Sequence, residues 1–500
     1  MTPDGQPAGP APAETAVVVG GGISGLLAAL ELSSRGIQTT VVEAGSGWGG
    51  AVASHTLAGL TLDSGAESFA TRSTAVASLI GQLGLSQNIR TPLPGGAWVE
   101  LPSGPRELPK TGVLGIPANP WDPEVRRTLG ILGSIRASLD RFLPRTVGAS
   151  RELTSVASLV RTRMGRRVLT RLVEPVVGGV HSADPALLDV DMVAPGLRSG
   201  VMSQGSLAAA VLAVRRGNPT AAGATMPAAG APAKAGSAVA GLMGGMHTLV
   251  TALVAQLGVR GVELVTGSRV EVIRRSVAGP WQVEAGALTR QADLLVMALG
   301  GPAAIGLLSS AVPDLASHVP EPGPDVRLVT LVVDEPALNG RPRGTGILVA
   351  PQTPGIQAKA MTHATAKWEW LAEAAGPGRH VLRLSYGRRD GLSSPREKAR
   401  REVAEVIPDA ELFEVALRDA SALLETPITS DAVVDWDVVR WPGALPFAAV
   451  GHRQRVAAVR AICAESGSLA IVGGWVAGNG LAAVVADTRD QMERLTAGPS

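Results

Sequence analysis

The stretch spanning 15–44 reads TAVVVGGGISGLLAALELSSRGIQTTVVEA, and it constrains the fold more than any other part of the chain. Ala16 to Val19 form a short, uninterrupted apolar run, the pattern of a strand covered on both faces. Gly20, Gly22 and Gly25 follow at GxGxxG spacing. The first permits a tight turn, the second lets a pyrophosphate approach the backbone, and the third lets the next helix pack closely on the strand. Leu26, Leu27, Leu30 and Leu32 give that helix its apolar positions, and its first N–H groups, unbonded within the helix, face the phosphates. Glu43 closes a second strand, where a carboxylate accepts hydrogen bonds from a ribose. Strand, turn, helix and acid arrive in the order of a dinucleotide-binding unit. Gly20, Gly21, Gly22, Ile23, Ser24, Gly25, Glu43 and Ala44 are its candidate contacts.

A chain of 500 residues with 45% hydrophobic content can bury more than one sizeable core. Its formal net charge of +2, without a basic run, argues against nucleic acid as a partner. The single cysteine, Cys463, excludes an intrachain disulfide and a thiolate metal cluster, and a reduced, cytoplasmic setting is expected. Residues 1–14, rich in Pro, Ala and Gly, read as a disordered tail rather than a signal peptide. Two long uncharged stretches, 235–259 and 469–486, are broken by Gly241, Gly244 and Gly245 and by Gly478 and Gly480. They read as a buried loop entering a helix and as strand, turn and helix, not as membrane spans. The histidines, His55, His181, His247, His363, His380 and His452 among them, show no metal-ligand spacing, so no metal is expected.

Strand and helix patterns alternate at both ends of the chain, which argues for an α/β core. The dinucleotide domain is expected to be discontinuous, assembled from 15–100, 241–305 and 430–500, with Ala292 to Leu299 as a strand returning to its sheet. Period-two segments such as VRLVTLVV and HVLRLSYG point to an antiparallel substrate sheet, assigned to 101–121 and 306–429. Residues 122–218 read as a mainly helical insert with arginine faces, and 219–240 as a flexible Ala/Gly/Pro loop.

Beyond the first fingerprint come Gly49-Gly50, GAESFATR (65–72), EPVVGGVHSADP (174–185), QGSL (204–207) and GGMHTLVTAL (244–253). Lys367-Trp368, LPFAAVGHRQRV (445–456) and VGGWVAGNGLAAVVADTR (472–489) continue the series. In this order the chain resembles the flavin-containing amine oxidase superfamily. Within it, the resemblance is greatest to the oxygen-dependent protoporphyrinogen/coproporphyrinogen oxidases of haem synthesis. The chain departs from their pattern at Gly47, where many relatives have an arginine, at Arg453, where an aromatic is usual, and at His181, where tyrosine is usual.

The resemblance implies non-covalent FAD with its diphosphate over Gly20 to Gly25 and its adenosine ribose against Glu43. It places Gly49, Gly50, Gly65, Ala66, Glu67 and Ser68 along the cofactor, the latter four at the flavin edge. Val270 falls at the adenine end, and Gly478, Asn479, Gly480 and Leu481 beneath the isoalloxazine. Elementary chemistry supports the last placement, because a glycine turn before a helix directs backbone N–H groups at an electron-rich reduced ring. The implied reaction is six-electron oxidation of a porphyrinogen, coproporphyrinogen III ahead of protoporphyrinogen IX, with O2 as acceptor and H2O2 as by-product. A propionate-bearing substrate needs cations at its rim. Arg72 is the first candidate, Arg383 and Arg388 on a predicted strand of the substrate sheet are weaker ones, and His181 lines the cavity; the catalytic chemistry belongs to the flavin rather than to a side chain. The resemblance leaves open peripheral membrane contact, a monomer or homodimer, and handover to a ferrochelatase. An amine oxidase and a non-enzymatic flavoprotein remain as alternative readings.

Overall fold

A computed structural model describes residues 14–109, 112–150, 153–216, 239–276, 279–387, 407–443 and 445–497. Arg388, most of the expected 219–240 loop and all of the expected tail except Glu14 lie outside these residues.

The apolar run at the start becomes the centre of a five-stranded sheet with every neighbour parallel. Its strands, in spatial order, are Glu263–Val265, Gln38–Val42, Thr15–Val19, Leu294–Met297 and Leu469–Ile471. Three distant parts of the chain therefore build one sheet. The strand Thr15–Val19 is buried on both faces: Ala16 and Val18 enter one apolar cluster, Val17 and Val19 another. The first cluster holds the helix Ile23–Ser34 through Leu26, Leu27 and Leu30, against Leu249 and Leu253 of helix His247–Val259 and Val485 and Met492 of helix Leu481–Thr496. Close packing on the strand depends on Gly25, where an added Cβ would lie 1.9 Å from the Gly20 carbonyl oxygen.

A second sheet of seven strands runs in the order Val433–Trp441, Val326–Asp334, Arg379–Tyr386, Ala360–His363, Gly346–Val349, Trp98–Leu101 and Gly104–Glu107. Pairing is antiparallel except between Gly346–Val349 and Trp98–Leu101. Helix Asp409–Leu424 covers one face through Leu412, Val415, Ala416 and Leu423.

Several boundaries differ from the sequence reading. Residues 98–100, expected in the dinucleotide domain, belong to strand Trp98–Leu101 of the seven-stranded sheet. Leu308 and Leu315, expected with the substrate sheet, pack beside the parallel sheet. Val433–Trp441, expected in the dinucleotide domain, pairs along Val326–Asp334 and supplies an edge of the seven-stranded sheet. Its residues are mostly half-buried, so it lacks the alternation that marks a strand with one dry face. Val239 and Ala240, expected at the end of the flexible loop, instead open a strand, Val239–Leu242, that pairs with Phe69–Ala70 and Ile89–Arg90.

The helical part, from Pro123 to Arg215, closes its own core around Leu129, Leu159, Leu172 and Val211, joined by Phe447 and Ala448 from the C-terminal third. Arg163 sits inside it, fully buried and bonded to Asp140 at 2.5 Å and to the carbonyl oxygens of Asp140, Pro144, Val147 and Gly205.

Candidate functional site

The turn after the first strand is held by its own backbone. Gly20 donates to Val42 O at 2.8 Å, and Gly49 donates to Gly21 O at 2.8 Å, which brings the Gly49-Gly50 pair alongside Gly22. Gly20 has φ +107°, in the region that favours glycine. Glu43 folds its carboxylate over the turn and accepts from Gly21 N at 2.7 Å and Gly45 N at 2.6 Å. A carboxylate has about four lone-pair sites, so two such bonds leave acceptor capacity for ribose hydroxyls. Trp48 packs on Gly21, where an added Cβ would meet the indole at 2.4 Å. Sequence reading noted Trp48 only as a neighbour of Gly47, because an aromatic there has no motif meaning.

A cavity of about 360 Å³ continues from this turn and is lined by Val19, Val42, Ala44, Val270 and Leu299 among others. Val270, expected at the adenine end, and Ala44, an expected cofactor contact, thus share one apolar slot. On the other side, the Gly20 turn meets the C-terminal segment: Ser24 Oγ lies 3.6 Å from the place of a Cβ on Gly473. Gly478 and Gly480 have φ +100° and +108°, and an added Cβ would meet nothing within 4 Å at either. This is an open cradle at the start of helix Leu481–Thr496. Asn479 between them keeps its Oδ1 buried and unpartnered while its amide lies 3.0 Å from His181 Nδ1. Ala66, Leu481 and Ala482 border the same apolar cluster as Phe69, so the segment 65–68 and the C-terminal turn face one region. Positive-φ turns, an apolar slot and an orphaned acceptor suit a planar, hydrogen-bonding ring carried on a nucleotide tail.

The segment Ser64–Glu67 is bound by side chains from the seven-stranded sheet and the helix beside it. Trp441 Nε1 donates to Ser64 O at 2.8 Å, and Arg383 donates to Gly65 O at 2.7 Å. Glu67 pairs with Arg383 at 3.1 Å and with Lys367. Burial alone would raise the Glu67 carboxyl. The attraction of Lys367 and Arg383, and their hydrogen bonds, outweigh it and hold the group below its ordinary range. Arg383, expected at a propionate, directs its donors to this segment. Lys367 and Trp441 were missed as site residues; the only signal was Lys367 within the Lys367-Trp368 motif.

His181 is buried beside Asn479, and burial pushes its imidazole down to about 4, so it is neutral near pH 7. It lines a small pocket with Met192, Pro446, His452, Trp475 and Asn479. His452 Nε2 lies 2.6 Å from Trp475 O. Arg72 lies exposed in the turn before helix Ala75–Gln82, away from these contacts. Two of the sequence motifs meet through Asp63, which accepts from Met246 N and His247 N at the start of helix His247–Val259.

A parallel sheet with a glycine-rich first turn, an acid after its second strand and a separate antiparallel sheet define a two-sheet dinucleotide flavoprotein fold. Residues 23–485 match the model of the family described as flavin containing amine oxidoreductase; the chain belongs to that family and is a flavin-dependent oxidoreductase. It is similar to the coproporphyrinogen III oxidase of Propionibacterium freudenreichii subsp. freudenreichii, 29% identical over 96% of this chain and 90% of the relative. The coproporphyrinogen III oxidase of Mycobacterium leprae (strain TN) is 28% identical over 96% of this chain and 98% of its own. Among solved structures, a candidate protoporphyrinogen oxidase from Exiguobacterium sp. 255-15 has the same fold, with TM-score 0.76 and 22% identity, covering 98% of this chain and 100% of its own.

Proposed function

We propose that the protein is a haem-pathway oxidase that converts coproporphyrinogen III to coproporphyrin III on non-covalently bound FAD, with O2 as acceptor and H2O2 as by-product. The observation that carries this reading is the near-full-length similarity to curated coproporphyrinogen III oxidases, on a chain whose first glycine turn has an apolar slot beside its strand and the C-terminal segment at Gly473 beside its helix.

When bound, the flavin supplies the two-electron acceptor that each round of a porphyrinogen oxidation requires. The chain's part is to hold and orient. The Gly20 to Gly25 turn, through the N–H groups at the start of its helix, and the Gly49-Gly50 pair beside it would hold the diphosphate, Glu43 would receive the ribose, and Ala44 and Val270 would enclose the adenine end. Gly65 to Ser68 would lie along the ring edge and Gly478 to Leu481 beneath the ring. His181, neutral and apolar-faced, contributes shape to the substrate side, and exposed Arg72 meets a propionate at the rim.

Membrane contact belongs to the helical part. Ile131, Leu132, Ile135, Leu139 and Phe142 are exposed, Leu132 at 71% and Phe142 at 69%. Arg126, Arg127, Arg141 and Arg145 on the same stretch of chain are exposed too. Such a ridge suits shallow docking on an anionic lipid surface. Among the described residues no single helix is long and apolar enough to cross a membrane.

The decisive experiment offers coproporphyrinogen III and protoporphyrinogen IX in parallel to FAD-loaded protein under air and follows porphyrin fluorescence. A faster gain with coproporphyrinogen III is expected. No gain over autoxidation with either substrate would remove the reading.

A further inference from the structure

Ser64–Glu67 is wedged between two parts of the molecule. On one side Ala66 N donates to Ala51 O at 2.9 Å, and a Cβ on Gly65 would lie 2.0 Å from that same oxygen, so the strip fits only as glycine against the dinucleotide domain. On the other side every contact comes from far along the chain: Lys367 and Arg383 on Glu67, Arg383 on Gly65 O, and Trp441 on Ser64 O. The Lys367, Arg383 and Glu67 side chains are 14%, 11% and 17% exposed. Two largely buried cations therefore share one carboxylate. Asp63 bonds the amides of Met246 and His247 and Asp437 bonds His55, whereas the ion pairs of Lys367 and Arg383 both run to Glu67. An excess buried cation costs stability unless a counter-charge reaches it. This is the arrangement expected where a second anion arrives with a ligand.

Resting on the FAD reading above, we propose that Lys367 and Arg383 are positioning residues for the flavin. They clamp Glu67, fix the Gly65–Ala66 backbone at the ring edge, and set one uncompensated positive charge beside it that stabilises the anionic reduced ring. The substrate sheet thereby takes part in tuning a cofactor whose tail lies on the other sheet.

The test uses full-length FAD-loaded protein and measures the flavin midpoint potential and the FAD dissociation constant for wild type, K367M, K367R and E67Q. Removing the lysine charge should lower the potential, and removing the carboxylate charge should raise it, while K367R stays near wild type. Both K367M and E67Q should weaken FAD on the order of tenfold, the size of one lost charged hydrogen bond. K367Q replaces K367M if the latter does not fold, as judged by thermal unfolding. Potentials that move in the same direction in K367M and E67Q, or that do not move, overturn the inference, because a purely structural contact has no sign. In that case an enzyme that still binds FAD and oxidises porphyrinogen leaves the functional reading standing. Wild-type protein that takes up no FAD brings down both.

Discussion

Two buried charge clusters divide the labour of this molecule. In the helical part, Arg163 and Asp140 form a neutral pair in which the guanidinium also reaches four carbonyl oxygens and Asp140 accepts from Ala208 N. Every partner lies within the same lobe. Between the sheets, Glu67 faces two cations, and its partners come from 300 and 316 residues away. The first cluster is balanced and closed, and holds a fold. The second sets two cations on one carboxylate and joins two sheets, which is the feature the flavin proposal rests on. A satisfied buried ion network stiffens structure, whereas an incompletely compensated one carries a field for chemistry at the expense of stability.

The comparison predicts its own tests. Arg163→Met should have the largest effect, a loss of about 3–5 kcal/mol in urea unfolding, because it strands buried Asp140. The flavin potential of whatever folds should stay at the wild-type value, and a shift as large as that of K367M would erase the distinction between the clusters. Next is the acid side. His181 titrates at about 4 when folded against an ordinary 6.5, so the unfolded state binds its proton first as pH falls. Its contribution is complete above pH 6.5 and disappears between 6.5 and 4. Between pH 7 and pH 5, wild type should therefore lose about 2 kcal/mol more than H181F in paired urea titrations. Equal losses would mean that the imidazole is not buried as the site requires. Gly47→Arg comes third: an added Cβ there meets nothing within 4 Å. Restoring the charge usual in relatives should tighten FAD several-fold, or about 1 kcal/mol, by equilibrium titration. Smallest in stability is the paired change I131D/L132D, within about 0.5 kcal/mol because both side chains already face water. It should abolish sedimentation with anionic phosphatidylserine vesicles while leaving turnover in solution unchanged.

Much of the cofactor half was legible because its information is local. Gly20, Gly25 and Glu43 fall within one strand–helix–strand unit, and glycine spacing reports steric limits that any such turn must obey, as the 1.9 Å clash at Gly25 shows. The first sheet was legible from the uninterrupted apolar run Ala16 to Val19, which is buried on both faces, and from 292–299 as a strand returning to it. The strand Val433–Trp441 was not legible, since half-burial along its length erased the alternation that reveals strands. Arg383 was singled out as a cation on a substrate strand, but its partner could not be read from its neighbours. Trp441 carried no local signal, and Lys367 only its place in the Lys367-Trp368 motif, because their roles exist only where distant segments meet.

The sequence by itself determined the strand, glycine turn, helix and second strand around Gly20, since backbone sterics and helix-end N–H groups are properties of short segments. Tertiary structure alone decided what stands beside the expected ring edge. Electrostatic influence depends on distance in space rather than along the chain, and only the packed sheets bring Lys367 and Arg383 to Glu67.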